Sequence, residues 1–403
     1  MHIVFTNNYL YLRGGSERVM FEEAEMLRRQ EHTVDFFARR QSLNLSTDHQ
    51  ELFPPHIDPE ALPLLGKLRH IPRIIYNADT CRRFGTFLQE LHPDLVHAHN
   101  IYGGLTTAVC DAAKRRSIPL VMTLHDYKLI CPSYLMLHDG KPCEACRGGR
   151  FYVSVKNRCH KGSLAYSAIY CAESFVNRWL KKYESVAALI CPSRFLQQKM
   201  IESGIAPARL RYLPNAIDAD RYLPAIGNGR YALFAGRLSP EKGIMTLLRA
   251  VQQTGIPLHI LGDGPLRETL REFVQQHHLS DRVIFDGYQT GDALRTIYRN
   301  AAFVVVPSEC YENAPMTILE AFACGKPVAG AKIGGIPEMI DEGCTGMLFT
   351  PGAVDELSAC LHALWAHYRR GEMGRHARAC VEAKYSSAGH MNGLLEIYRQ
   401  ARG

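Results

Sequence analysis

The sequence predicts an α/β protein of two domains, each built on a parallel sheet flanked by helices. Three observations predict this class. The chain has 403 residues, enough for two cores of roughly 150 to 200 residues each. Short apolar runs that suit buried strands alternate with helical patterns, the order that crossover connections of a parallel sheet produce. The alternation occurs twice, on either side of a segment rich in Pro, Gly and Asn.

The first series of strands belongs to an N-terminal Rossmann-like domain, predicted over residues 1–213. Its strand-like runs lie at 3–5, 33–37, 94–98, 120–124 and 188–190. Residues 214–229 form the predicted linker, because their Pro, Gly and Asn content disfavours helix and strand. A second Rossmann-like domain follows over 230–384, with runs at 231–235, 258–261, 283–285, 302–306 and 328–329. We expect the two domains to face each other across a cleft, with a helix in 385–403 crossing back to the first domain.

Composition restricts the class of protein. Hydrophobic residues make up 46% of the chain and charged residues 22%, as in folded globular proteins. No apolar run reaches the roughly 20 residues that span a bilayer. The first five residues already belong to a strand-like segment, and no signal-peptide pattern precedes it. The 13 cysteines are scattered and odd in number, which favours free thiols in a reducing compartment. The expected location is therefore the cytoplasm.

The net charge of +7 is carried by the first half of the chain. Residues 1–213 hold 28 Lys and Arg against 20 Asp and Glu, a balance of +8, whereas residues 214–403 hold 19 against 20. Two interpretations stay open: a solvated surface, or attraction to anionic lipid headgroups or a phosphorylated acceptor. No nucleic-acid partner is predicted, because the basic half has no recognition motif.

A stretch from 307 to 327 places two carboxylates after a strand. The run at 302–306 is apolar and β-branched, as in a strand buried on both faces. A polar loop with Glu312 follows, and then a short helix with Glu320, which begins near Pro315 and ends at Gly325. Loops at this end of a doubly wound sheet bind ligands, so both carboxylates are candidate site residues.

A second strand end carries positive charge. Gly236 closes the run at 231–235, and Arg237 and Lys242 then precede a predicted helix. A guanidinium and an ammonium beside a helix N-terminus suit a diphosphate group, and they would stabilise a departing phosphoryl group without a metal.

These motifs closely resemble those of the retaining glycosyltransferases of family 4, which have the GT-B fold, over essentially the full chain. The family's two glutamates, separated by seven residues, match Glu312 and Glu320. The resemblance assigns Glu312 to the hydroxyls of the donor sugar and Glu320 to the ribose of the nucleotide. The family's diphosphate-binding basic residues match Arg237 and Lys242.

Two further matches lie in the first half of the chain. The glycine pair after the first strand, Gly14 and Gly15, is implied to let backbone amides approach the diphosphate. His125, after a later strand, is implied to face the sugar. The chain departs from the family at Asn313, where many members have a Gly-Phe-Gly segment offering amides to the sugar. We expect Asn313 to contact the sugar and this segment to set donor specificity. Taken singly, each matched residue also has an ordinary structural interpretation.

The resemblance implies a retaining, metal-independent hexosyltransferase. It would move a sugar from a UDP- or GDP-sugar to a hydroxyl of a glycan or lipid-linked acceptor in bacterial cell-surface polysaccharide synthesis. Two alternatives stay open: a nucleotide-sugar epimerase of GT-B fold, and an inactive glycosyltransferase-like binding subunit. No cofactor is expected for catalysis.

A cysteine-rich insert occupies residues 131–160. Cys143 and Cys146 have the spacing of a metal knuckle, and Cys131 and Cys159 flank them. Four thiolates can bind zinc tetrahedrally and order a polar loop, so a structural zinc site is expected. Four free cysteines beside the acceptor cleft are the alternative.

Residues 64–76 mix apolar and basic side chains, with Pro72 expected to interrupt any long helix. Such a segment suits an anionic membrane interface and would place the enzyme peripherally on the inner face of the membrane. An internal helix beside the acceptor cleft is the other interpretation.

Overall fold

The structure is a computed structural model that describes residues 1–58, 61–366 and 370–403. It divides the chain into two compact units. Unit 1 consists of residues Met1–His138, Cys143–Leu213 and Met391–Gly403, and unit 2 of Asp139–Pro142 and Pro214–His390. The change of unit after Leu213 lies where the sequence places the end of its first domain. The segment 214–229, predicted as a linker, is part of unit 2.

Unit 1 contains a six-stranded sheet in the order β2-β1-β3-β4-β7-β8, and every pair in it is parallel. Chain order reverses between β1 and β3, which makes their carboxyl ends the topological switch point. The strands are β1 (His2–Thr6), β2 (Thr33–Phe37), β3 (Leu95–Ala98), β4 (Leu120–Thr123), β7 (Ala188–Cys191) and β8 (Leu210–Tyr212); two-residue strands β5 (Leu137–His138) and β6 (Lys141–Pro142) lie in the insert.

Helices connect these strands, as right-handed crossovers of a parallel sheet require. They are α1 (Gly15–Arg29), α2 (Leu64–Ile75), α3 (Ala78–Leu91), α4 (Ala108–Arg115), α5 (Tyr152–Lys156), α6 (Leu164–Trp179) and α7 (Arg194–Glu202). The last helix of the chain, α15 (Ser387–Arg402), begins in unit 2 and ends in unit 1. In unit 1 its Tyr398 is buried against the sheet and hydrogen-bonds to His97.

Unit 2 contains a second parallel sheet, in the order β11-β10-β9-β12-β13-β14. Its switch point lies between the adjacent strands β9 and β12. The strands are β9 (Ala232–Ala235), β10 (Leu258–Leu261), β11 (Val283–Gly287), β12 (Phe303–Val306), β13 (Val328–Ala331) and β14 (Gly346–Phe349). The helices are α8 (Ile244–Thr254), α9 (Arg267–Gln276), α10 (Gly291–Asn300), α11 (Met316–Ala323), α12 (Ile336–Met339), α13 (Val354–Trp365) and α14 (Arg370–Lys384).

The strands form where the sequence has its longest apolar runs, because helices cover both faces of each sheet. All four residues of β12, Phe303–Val306, are buried, and so are those of β3, β4 and β7. Continuous apolar runs are what a doubly covered parallel strand requires. Within the described residues no helix is both long and apolar enough to cross a lipid bilayer.

Two local expectations are corrected. Helix α2 continues past Pro72 to Ile75, so the proline does not end it. It ends within one turn of Pro72, whose carbonyl accepts the amide of Tyr76; a proline this near a C-terminus removes one helical hydrogen bond. In unit 2, helix α11 begins at Met316, and Pro315 is its N-cap residue.

Candidate active site

The candidate site of unit 2 forms where the loops after β9 and β12 meet. These strands are neighbours at the switch point of the sheet, so their following loops emerge side by side at its carboxyl edge. The loop after β9 carries Gly236, Arg237 and Lys242, and the loop after β12 carries Glu312. Four of the predicted site residues therefore belong to one edge of one sheet.

Lys242 and Glu312 form an ion pair at this edge. The Nζ atom of Lys242 lies 2.5 Å from Oε1 of Glu312, which also accepts a hydrogen bond from Ser308 Oγ at 2.6 Å. Burial alone would raise the pKa of Glu312, but the ammonium of Lys242 and these hydrogen bonds outweigh burial and lower it. Burial would likewise lower the pKa of Lys242, and the carboxylate raises it instead. Both side chains are thus held in their charged forms at neutral pH.

A glycine brings the two loops together. Gly243 has φ +66°, and a Cβ there would lie 1.9 Å from the carbonyl oxygen of Pro307. Only glycine accepts this conformation and this approach without strain. The Glu309 amide donates to the Glu241 carbonyl at 2.8 Å in the same place. Lys242 is consequently positioned by backbone contacts as well as by its own ion pair.

A second glycine contact fixes the backbone of Glu312. A Cβ on Gly334, which has φ +59°, would lie 2.3 Å from the Glu312 carbonyl oxygen, and that oxygen accepts the Gly335 amide at 2.8 Å. This turn was not predicted from the sequence. Its signal was present, because a Gly-Gly pair shortly after a strand marks close backbone approach, as Gly236 does.

Arg237 is exposed, and its guanidinium makes no hydrogen bond or ion pair with the residues that the structure describes. The preceding Gly236 donates its amide to the Leu261 carbonyl at 2.9 Å. A Cβ on Gly262 would lie 1.9 Å from the Gly236 carbonyl oxygen. The close contact with Gly262 therefore supports the loop that carries Arg237. The exposed guanidinium of Arg237 is available to a ligand.

Glu320 lies in a different environment from Glu312. It is on α11, 5% exposed, and its Oε2 accepts a hydrogen bond from the hydroxyl of Tyr298 at 2.6 Å. Burial, and then the charge of Glu320, raise the pKa of Tyr298 well above its usual value. The ribose contact assigned to Glu320 stays a prediction. Asn313, which lies between these carboxylates in the sequence, is half-buried. The Nδ2 of Asn215 donates to the next carbonyl, that of Ala314, at 3.1 Å.

Unit 1 places its candidates at the carboxyl edge of its own sheet. Gly14 is the N-cap residue of α1 and Gly15 its first residue, and both are exposed. A Cβ on Gly15 would meet nothing within 4 Å, and one on Gly14 only the Glu17 carboxylate at 3.7 Å. Neither has a positive φ, so packing within the described chain does not require glycine at these positions.

His125 follows β4 by two residues and belongs to a buried histidine cluster. Its Nε2 lies 2.8 Å from Nδ1 of His99, and Nε2 of His99 lies 3.7 Å from Oε2 of Glu23. Burial lowers the pKa of His125 to about 4, so this imidazole is neutral at physiological pH. His99 and Glu23 were not predicted from the sequence, because they come from different elements and give no joint local signal.

The Glu23, His97 and His99 ligand atoms all lie within 4.8 Å of one another, a spacing that suits a metal ion. Both nitrogens of His97, however, already have hydrogen-bond partners: Tyr398 OH at 2.7 Å and Thr123 Oγ1 at 2.8 Å. A carboxylate beside His99 Nε2 favours the proton on that atom, so His99 Nδ1 accepts from His125 Nε2. The geometry is better described as a hydrogen-bonded cluster that orients His125.

The four cysteines of the insert are near one another without forming a set of ligands. The pKa of Cys146 is raised to about 12, by burial first and then by Cys131, Cys159 and Cys143. Among the described residues, however, the cluster around Glu23 is the only one with three ligand atoms within 4.8 Å. The structure therefore does not bring three of these sulfurs to the spacing of a tetrahedral site, and zinc binding stays a prediction.

Comparison with known proteins identifies the family. The family model described as Glycosyl transferases group 1 matches residues 219–378. The model described as Glycosyltransferase Family 4 matches residues 13–221, more than half of the chain. The chain belongs to glycosyltransferase family 4. Membership of family 4 confirms the family resemblance seen in the sequence.

Curated relatives are between about a quarter and a third identical to this chain over the parts that align. The lipopolysaccharide 1,2-N-acetylglucosaminetransferase of Salmonella typhimurium is 30% identical over 224 residues, covering 50% of this chain and 58% of that protein. The sulfoquinovosyl transferase of Arabidopsis thaliana is 26% identical over 302 residues, covering 69% and 51%. The chain spans about half the length of the curated relatives it matches.

Solved structures share the fold of this family 4 chain over its whole length. Sucrose-phosphate synthase from Thermosynechococcus elongatus superposes with a TM-score of 0.73 at 18% identity, covering 99% of this chain and 98% of that one. HepE from Anabaena, solved in complex with UDP-glucose, gives a TM-score of 0.65 at 20% identity, covering 100% and 98%. The predicted GT-B fold class is confirmed.

Proposed function

We propose that this protein is a retaining glycosyltransferase that uses a nucleotide-diphosphate sugar. The acceptor would be a hydroxyl of a glycan or lipid-linked substrate in cell-surface polysaccharide synthesis. The observation that carries the proposal is the site at the switch point of unit 2, where Arg237 and Lys242 supply positive charge beside the carboxylate of Glu312. The lipopolysaccharide enzyme among the relatives and the UDP-glucose complex of HepE support the choice of chemistry.

The mechanism follows from the charges in this site. As the bond between the sugar and the diphosphate breaks, negative charge develops on the phosphate oxygens, and fixed cations stabilise that charge. Arg237 has a bidentate fork for phosphate, and Lys242 contributes an ammonium held by Glu312. Because Glu312 is ionised, it accepts hydrogen bonds from sugar hydroxyls and keeps Lys242 oriented. These residues provide the charge without a metal ion.

Retention requires the acceptor hydroxyl to attack from the face that the diphosphate leaves. In the proposed reaction the leaving diphosphate takes the hydroxyl proton, so that neither glutamate transfers a proton. His125 would offer its Nδ1 as a hydrogen-bond acceptor to a sugar hydroxyl, since its Nε2 is directed to His99. Proton NMR of the product distinguishes retention from inversion through the anomeric coupling, and isomerised free donor without acceptor would indicate the epimerase instead.

The principal test replaces Lys242. We expect Lys242→Ala to lower turnover of UDP- or GDP-sugars by about 100-fold to 1,000-fold, the usual cost of one donor to a developing oxyanion. Nucleotide release is measured with purified protein and candidate acceptors.

Lys384→Ala, which removes an exposed lysine at the end of α14, is the matched control and should keep full turnover. Near-normal turnover in Lys242→Ala, with the donor still consumed, would contradict the role of Lys242 in stabilising the departing diphosphate. The inactive-subunit alternative predicts no donor consumption by the wild type at all.

We also propose peripheral membrane attachment through helix α2. Leu65 and Leu68 are 72% and 56% exposed, and Lys67 and Arg69 beside them are exposed as well. Nearby α6, which packs on α2, ends at Trp179 with 81% exposure. Exposed apolar and basic side chains on one helix suit an anionic lipid interface.

Flotation with phosphatidylglycerol vesicles at low salt tests this attachment. We expect Leu65→Ser combined with Leu68→Ser to reduce the floating fraction several-fold, because buried apolar area supplies much of the binding. Leu223→Ser, which removes an exposed leucine of unit 2 (66% exposed), should float like the wild type. Absence of flotation by the wild type would favour an internal role for α2.

The proposed zinc of the insert would be held by Cys131, Cys143, Cys146 and Cys159 and would order the loop rather than take part in the reaction. Metal analysis of protein purified without chelator decides this, since one zinc per chain is expected.

A further inference from the structure

A second charged site lies in unit 1, formed by residues other than those assigned to the donor. It is a cavity with about 360 Å³ of empty space, open to solvent. The cavity lies between the segment after β2, the loop after β3, helix α2 and the start of α3. We call it the cationic pocket, and it is lined by Arg39, His70, Arg73, Asn77, Asp79 and Gly104, among others.

The two guanidinium groups of this pocket are uncompensated. Arg39 and Arg73 form no ion pair with any carboxylate in ranges 1–58, 61–366 and 370–403. The one acid in the lining, Asp79, is already bound by Arg82 at 2.7 Å and Arg83 at 2.9 Å. Burial, followed by the charges of Arg73 and Arg39, lowers the pKa of His70. A concave surface with unpaired cations attracts an anion.

Arg39 is held in position yet has an unused donor. Its guanidinium lies over the ring of Tyr9, 5.0 Å from the centroid. A Cβ on Gly104 would lie 2.7 Å from the Nε of Arg39, so glycine allows the loop backbone to pack against this side chain. Nevertheless Arg39 Nε is buried without a hydrogen-bond partner among the described residues. A buried N–H left without an acceptor is unfavourable, and a ligand oxygen would satisfy it.

The position of the pocket within the sheet also indicates a ligand. Arg39 follows β2 by two residues, and Gly104 belongs to the loop after β3. Both lie at the carboxyl edge of the sheet next to its switch point, where doubly wound folds bind substrates. Asn77 links the loop to α3, since its Nδ2 donates to the Gly104 carbonyl at 3.1 Å while its Oδ1 caps the helix.

We propose that the cationic pocket binds a phosphate group, as a mono- or diester, carried by the acceptor substrate. A phosphate is favoured over a single carboxylate because two guanidinium groups and an imidazole can share its oxygens. The assignment of this phosphate to the acceptor substrate rests on the function proposed above. In that proposal the cations for the donor diphosphate are Arg237 and Lys242, so we assign the separate cations of the cationic pocket to the other substrate.

Calorimetric titration of the full chain with inorganic phosphate tests the pocket. Loss of one charge-assisted contact typically weakens binding about tenfold or more, so we expect Arg39→Gln and Arg73→Gln each to weaken phosphate binding by at least that factor. Arg73 is exposed, so its variant should fold whatever happens to Arg39→Gln.

Two controls separate this site from the donor site and from general surface charge. Titration in excess UDP keeps the donor-diphosphate site occupied, and Arg115→Gln, which removes an exposed cation of α4, should bind phosphate at the pocket as the wild type does. Unchanged binding in Arg39→Gln and Arg73→Gln, or no phosphate binding by the wild type, overturns the proposal. The outcome is independent of transferase turnover, so failure of the proposed function would be seen separately.

Vesicle flotation of the Arg39→Gln variant decides the source of the phosphate. If the acceptor phosphate belongs to a lipid, Arg39→Gln should also lower flotation with phosphatidylglycerol vesicles several-fold. If it belongs to a soluble acceptor, flotation should be unchanged while inorganic phosphate binding still falls. In both cases loss of phosphate binding in Arg39→Gln is required.

Discussion

At the scale of single residues, Lys242 and Glu312 determine each other's ionisation. Glu312 has a lowered pKa, so its contribution to stability is complete above the ordinary value of 4.5 and is lost as pH falls through the lower folded value. Lys242 has a raised pKa, so its contribution is complete below 10.5 and is lost as pH rises through the higher folded value. Between about pH 5 and 10 the pair contributes fully.

Replacing Glu312 by Gln tests this dependence. At pH 7 we expect Glu312→Gln to lower the free energy of unfolding by about 2 kcal/mol, between the values for exposed and fully buried pairs. The difference from the wild type should shrink as pH falls from 4.5 through the lower folded pKa, because the wild-type carboxyl is then protonated and, like the amide of Gln, carries no charge. Urea unfolding from pH 3.5 to 8 measures it.

Glu396→Gln is the control for Glu312→Gln, because its partner Arg399 lies 3.3 Å away on an exposed surface of α15. It should change stability by less than about 0.5 kcal/mol. A destabilisation by Glu312→Gln that stays constant down to pH 3.5 would contradict the role of this ion pair.

At the scale of elements, the loop after β4 is attached to helix α6 by a buried ion pair. Lys128 Nζ lies 2.6 Å from Glu173 Oε2, and the side chains are 4% and 3% exposed. Asn177, one turn along α6, donates to Glu173 Oε1 at 2.6 Å, and its own Oδ1 accepts from Thr107. The pair thus connects the loop that contains His125 to the helix beside the cysteine insert.

Removing one partner of this pair should be costly. We expect Glu173→Ala to lower the free energy of unfolding by about 3 to 5 kcal/mol, because it leaves the Lys128 ammonium buried without a counter-charge. Chemical denaturation measures the change. Combining Glu173→Leu with Lys128→Met should recover much of the loss, since neither charge is then buried.

Glu184→Ala provides the surface comparison, because its pair with Lys181 is 3.6 Å long and well exposed. That variant should lose no more than about 1 kcal/mol. Equal losses in the buried and exposed variants would show that the buried pair has no special role.

At the scale of the whole molecule, the alternation of strands and helices was predicted well from the sequence, whereas some short strands were not predicted. Every predicted strand corresponds to one in the structure, because most of them are apolar runs buried on both faces; the edge strands β2 and β11 are only partly buried. Strands β8 and β14 were missed. Leu210–Tyr212 is three residues long and contains an arginine, and Gly346–Phe349 begins with glycine and has no β-branched residue. Such strands form by pairing with a neighbouring strand of the sheet, an interaction that the local sequence does not reveal.

Candidate site residues could be predicted where charged side chains lie in the loop that follows a strand. Glu312 and Lys242 could be found because parallel strands bring their following loops to a common edge. The cluster of His125, His99 and Glu23 could not, because it depends on packing between a helix and two strands. Glu320 was expected on the helix after β12 and lies there, but its burial beside Tyr298 was not predicted, because it depends on packing against another helix.

The backbone contact between Gly334 and Glu312 has a consequence for how this chain can diversify. It immobilises the main chain at the carboxylate, whereas the neighbouring side chains of Asn313 and Ala314 take no part in it. Substitutions of these two side chains therefore leave that backbone contact of Glu312 in place. In the proposed enzyme, the choice of sugar and the handling of its phosphates would then be separate traits, and a library restricted to positions 313 and 314 would sample new donors on an unchanged reaction.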